Sequence, residues 1–165
     1  KAVQLDVPLM VHPSTTYDRR LEIIPANYQM NNYLEEFVAM QLYMHSKIFQ
    51  TFPKLKIVIC HCGGGLNRFI PNDHHVGQGD FSKNLFFDSC VYDVNYLEAA
   101  IKQRGVDQVL FGTESPGSGG AVRKDTGKPS DDMIPVIDGL GFLSAEDKLK
   151  IFQKNPLKVF TKVKI

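Results

Sequence analysis

The stretch KIVICHCGGG, residues 56–65, decides the fold. Ile57, Val58 and Ile59 make a short, continuous, β-branched run, which reads as a strand over 56–61 buried on both faces. It ends on His61 and passes into Gly63-Gly64-Gly65, where the chain turns and where backbone or substrate can approach closely. Neighbouring strand residues point to opposite faces, so Cys60 and Cys62 are expected to face away from His61 and to pack as small hydrophobes. The C-H-C triplet also lacks the Cys-x2-Cys spacing of a structural zinc site.

The same arrangement recurs on both sides. VPLMVH (7–12) is an apolar run ending at His12, broken by Pro13. A long polar and aromatic loop carrying Tyr28 then leads to a helix over 31–51, with Leu34, Phe37, Val38, Leu42, Ile48 and Phe49 on its apolar face and Pro53 as its stop. NLFFDSC (84–90) is the third strand, and Asp93 is placed to cap a helix reaching about Arg104. QVLFG (108–112) is the fourth, ending one residue before Thr113-Glu114. MIPVIDGL and SAEDKLKIFQKNPLKVF follow a polar loop, the second opening on a capping-box-like Ser144 and Asp147. Buried strands that each lead into a helix predict a parallel α/β sheet. Four β/α units put His12, His61 and Glu114 at C-terminal strand ends, where a (β/α)8 TIM-type barrel carries its active site. The expectation is one domain over 1–165, built as half of such a barrel.

Composition narrows the function. A formal net charge of +1, with no basic stripe interleaved with aromatics, speaks against nucleic acid and anionic membranes as partners. No apolar run approaches the roughly 20 residues of a membrane helix, and the first residues do not read as a signal peptide. Three cysteines at these spacings do not form a disulfide framework, which points to a reducing, cytoplasmic setting.

The chemistry-bearing residues each carry two readings. His12 and Glu114 can converge on one divalent cation, zinc or manganese by ligand type, or they can cap a strand and anchor the Ser-Pro-Gly turn. His61 can act as general acid or base, since imidazole titrates near working pH, or it can be a hydrogen-bonded rim histidine. Tyr28 can donate a proton to a substrate oxygen or simply pack. Arg68 and Arg123, with Ser115 in the turn between them, can hold a substrate carboxylate or lie solvated. Asp88 is placed to orient other groups, His45 reads as structural, and His74-His75 as exposed.

VPLMVHPS, KIVICHCGGGLNRF, NLFFDSCVYD and VLFGTESPGSGG, in this order and spacing, resemble the second half of the amidohydrolase-related family of metal-dependent barrels, which includes the aminocarboxymuconate-semialdehyde decarboxylases. The resemblance runs from the first strand to the NPLKVF ending. It implies that His12 is a metal ligand, that His61 contacts substrate or metal-bound water, and that Glu114 stands where the family commonly has Asp. Glu there, the G-T-E-S-P-G run, the RKDTGKPSDDMIPVID tail and Tyr28 look like the 4-oxalomesaconate hydratases of aromatic-acid breakdown. What this implies is a hydratase, a carbon–oxygen lyase adding water to an unsaturated keto-dicarboxylic or tricarboxylic acid. The alternatives are a decarboxylase of the same family and an inactive half-barrel assembly module. The family's first-strand His-x-His is absent from this sequence, and two ligands are too few for a catalytic zinc. The expectation is therefore a partner: a missing N-terminal half or a second copy.

Overall fold

A computed structural model describes residues 1–14, 16, 18–21, 23, 28–68, 83–117, 120–124 and 126–163, apart from the side chains of 28–32. In chain order the elements are α1 (Ala2–Leu5), β1 (Leu9–Val11), α2 (Tyr28–His45), α3 (Ile48–Thr51), β2 (Ile57–Ile59), β3 (Leu85–Asp88), α4 (Val94–Arg104), β4 (Val109–Leu110), α5 (Ile134–Asp138), α6 (Ala145–Leu149) and α7 (Asn155–Val159). The four strands form one parallel sheet in the order β1-β2-β3-β4, with Leu9 opposite Ile57, Val58 opposite Phe86 and Phe87 opposite Val109.

The period-2 alternation sorts the strand side chains onto two faces. Ile57, Ile59, Leu85 and Phe87 meet Met40 of α2 and Leu55 on the outer face. Val109 joins Leu97, Ala100 and Ile101 of α4, with Ile137 of α5 and Ile151. Val58, Phe86 and Leu110 point the other way and are covered by Val159, with Phe160 against them. Asn155 fixes this last contact, because its amide donates to the carbonyls of Val106 and Val109, both at 2.8 Å. The chain then reaches the far edge of the sheet, where Thr161 Oγ1 donates to Asp6 at 2.6 Å.

The expected caps are present. Asp93 accepts from Tyr96 N at 2.7 Å, and Ser144 and Asp147 form a reciprocal capping box. The strands are shorter than their apolar runs, and two local differences matter. The 31–51 helix breaks at Ser46-Lys47, so α2 begins at Tyr28 and α3 is separate. The second strand stops before His61: residues 61–63 form a 3-10 turn, with His61 at φ 49° and Cys62 at φ 55°. Strand alternation therefore does not govern the C-H-C triplet. Cys60 and Cys62 are nonetheless buried free thiols, as small hydrophobes would be.

Candidate active site

At the C-terminal ends of the strands the inner face opens into a cavity of about 300 Å³, whose lining includes Met10, His12, His61, Asp88, Glu114 and Phe160. Three elements deliver its polar groups. His12 follows β1, and its Nδ1 donates to the Pro13 carbonyl at 3.0 Å. A carbonyl only accepts, so Nδ1 carries the proton and Nε2 faces Glu114 Oε1 at 3.4 Å. His61 enters from the turn after β2, with Nε2 3.4 Å from Glu114 Oε2. The His12 and His61 rings meet edge to face, with centroids 5.1 Å apart. One ligand atom from each of His12, His61 and Glu114 falls within 4.8 Å of the others.

Glu114 is held from several sides. Its backbone sits in the left-handed region at φ 57°, as does that of His61, a conformation that costs of order 1–3 kcal/mol and clusters at functional sites. Tyr92 Oη donates to Thr113 O at 3.1 Å and lies 3.5 Å from Glu114 Oε2, while Cys90 Sγ lies 3.7 Å from the same oxygen. The buried Ser89 stitches the end of β3 to Gly112 through bonds of 3.2 and 3.1 Å. Asp88 takes the Cys90 N–H at 3.0 Å, and burial raises its carboxyl above the ordinary range.

Electrostatically the centre of the site is His61. Burial lowers its pKa, but hydrogen bonds with Cys90 and Glu36 and the nearby charges of Glu36 and Asp88 outweigh that, and it is pushed up to about 11. Its Nδ1 is hydrogen-bonded to Glu36 of α2, a carboxylate 2% exposed and itself raised by burial. Sequence reading passed over Glu36. The available signal was a carboxylate on the same helical face as Phe37 and Met40.

Other expected site residues lie elsewhere. Tyr28 opens α2, but its side chain is outside the described residues, as are His74 and His75. Arg68 and Ser115 are exposed, and neither they nor Arg123 lines the cavity. Arg123 Nη2 donates within its own loop, to Ser130 O at 3.2 Å, and its buried Nε has no hydrogen-bond partner among the described residues. No helix among the described residues is long and apolar enough to cross a membrane.

A family model described as amidohydrolase matches residues 1–162. The chain belongs to the amidohydrolase family. A 2-keto-4-carboxy-3-hexenedioate hydratase of Sphingobium sp. (strain SYK-6) is 29% identical over 174 residues, aligning with 99% of this chain and 49% of the relative. The chain thus spans about half the length of the curated relative it matches. Among solved structures, 4-oxalomesaconate hydratase from Rhodopseudomonas palustris superposes with a TM-score of 0.72 at 24% identity, over 97% of this chain and 47% of that one. A dihydroxybenzoic acid decarboxylase from Polaromonas sp. JS666, solved with manganese and 2-nitroresorcinol, gives 0.69 at 22% identity, over 97% and 51%. These likenesses place the four β/α units as half of the family's barrel.

Proposed function

We propose that this cavity is half of the active site of a metal-dependent hydratase, a carbon–oxygen lyase that adds water to an unsaturated keto-dicarboxylic or tricarboxylic acid in aromatic-acid degradation. The observation that carries the reading is the convergence of His12, His61 and a glutamate, Glu114, at the strand ends. The donor set fits a divalent cation: imidazole nitrogens and a carboxylate within 4.8 Å suit zinc, with manganese as the alternative. His12 Nε2 and Glu114 would hold the metal, which when bound polarises a substrate oxygen or activates water.

The rest is done by side chains of this chain. His61 Nε2 faces the cavity and, with the ring held protonated, is the atom placed to give a proton to the substrate carbon. Tyr28 is assigned a second proton-moving role, and Arg68, Arg123 and Ser115 are assigned the substrate carboxylates. The apolar floor of Val58, Leu110 and Phe160 excludes water from the far side. The other half of the barrel, from a longer chain or a second copy, supplies the remaining ligands.

Both hydratase and decarboxylase relatives surround this chain, so the test offers both chemistries. The zinc- or manganese-loaded protein is given an unsaturated keto-dicarboxylate beside a carboxylated aromatic. Loss of the conjugated chromophore without release of carbon dioxide is expected. His61→Asn should abolish turnover while leaving bound metal intact. Carbon dioxide release alone, or unchanged turnover in His61→Asn, overturns the reading.

A further inference from the structure

The glycine run after His61 has a purpose its sequence does not disclose. A Cβ on Gly64 would lie 2.8 Å from Phe37 N, 2.9 Å from Glu36 Cβ and 3.0 Å from Tyr33 O. One on Gly65 would lie 2.6 Å from the Tyr33 hydroxyl and 2.7 Å from Phe37 Cδ2. These are contacts with helix α2, not with the cavity. The glycines let the helix press directly onto the turn, and the residue it presents there is Glu36.

From the other side α4 holds the same turn. Arg104 donates to Cys62 O at 3.2 Å and to Gly65 O at 2.7 Å, and the Tyr96 hydroxyl donates to Gly64 O. The turn is thus clamped between two helices, and His61 is turned outward from it at a left-handed φ. A carboxylate buried at 2% exposure on a face with Phe37 and Met40 is costly unless paired, and the group it meets is His61 Nδ1.

We propose that Glu36 is the positioning residue of His61. By accepting the Nδ1–H hydrogen bond it fixes the orientation of the ring, and so turns Nε2 towards Glu114 and the cavity. The catalytic meaning of this role rests on the proposed reading of His61, whereas the contact can be tested without substrate.

The side-chain nitrogen–proton correlation spectrum of the 15N-labelled chain reports which ring nitrogen of His61 carries the proton. The wild type is expected to show it on Nδ1, slowed in exchange by the Glu36 contact. Glu36→Gln keeps an accepting oxygen and should preserve the signal. Glu36→Leu should lose it, the Nδ1 proton then exchanging freely with solvent. Gly64→Ala, which forces α2 off the turn while both partners remain, should lose it as well. A neutral wild-type His61 protonated on Nε2 alone overturns the proposal, even if both disruptive variants fail to fold. So does a folded Glu36→Leu chain with an unchanged His61 signal. Correct His61 spectra in a protein that only releases carbon dioxide would sink the hydratase reading and leave this one standing.

Discussion

Replacing Gly63 by alanine tests how tightly the turn that carries His61 is packed, and the molecule contains its own control. Gly63 (φ 80°) and Gly127 (φ 67°) both sit where an L-residue is strained. At Gly127 a Cβ meets nothing within 4 Å among the described residues, so Gly127→Ala measures the backbone penalty alone, about 1–2 kcal/mol. At Gly63 the same Cβ lies 2.8 Å from Cδ1 and Cε1 of Phe87 and 3.0 Å from Met40 Sδ. Neither neighbour yields easily, because both are fully buried and the Phe87 ring also lies 4.9 Å from the Arg104 guanidinium carbon. Overpacking of this kind adds about 1–3 kcal/mol. Gly63→Ala is therefore expected to cost about 2–5 kcal/mol, exceeding its control by a central value of about 2 kcal/mol, or about 4–8 °C in Tm. Urea unfolding of the two variants, with m-values matched to wild type, reads the difference. Equal losses would refute the close packing of the turn against Phe87 and Met40.

Two further outcomes follow from other parts of the fold. Asp93→Ala removes the cap of α4 and should lower stability by about 1 kcal/mol, with Asp93→Asn close to wild type; thermal unfolding followed by circular dichroism checks both. Burial pushes the Cys60 and Cys62 thiols up, and a group whose folded pKa lies above its unfolded value of about 8.5 stabilises below that pH and loses this contribution as pH rises. Stability from urea unfolding should accordingly fall above about pH 8.5, and a rise between pH 8.5 and 10 would contradict the burial of these thiols.

The parts of the site that were legible share one property: they are marked by where an apolar run stops. His12, His61 and Glu114 each follow a strand, and strand ends are visible in a sequence because burial on both faces demands unbroken apolar residues. Glu36 carries only a weak local mark, its place on the apolar face of α2. Its meaning depends on a partner 25 residues away, brought to it by helix docking. The glycines were legible as a turn, but the body that approaches them is a helix, which only the folded chain shows. Cys90 is a buried free thiol whose sulfur also touches Glu114, a contact that no sequence pattern marks. The failed inference at His61 has a physical cause: residues 61 and 62 both leave the extended region for a left-handed turn, so period-2 alternation ends at Cys60.

The meeting of His12 with Glu114 is itself a statement about curvature. They follow β1 and β4, the two edges of the sheet, with β2 and β3 between. In a flat parallel sheet, at about 4.8 Å per strand, those edges stand about 14 Å apart. Here the two side chains approach to 3.4 Å, and His61 from β2 reaches the same point. A sheet curled towards the face of Val58, Phe86 and Leu110, as in the barrels it superposes on, brings both edges to one centre. That concave face is filled by Val159 and Phe160 of this same chain, and the Asn155 amide holds them there. Contacts within these four β/α units support the curvature that assembles the three donors, with the C-terminal segment packed against that face.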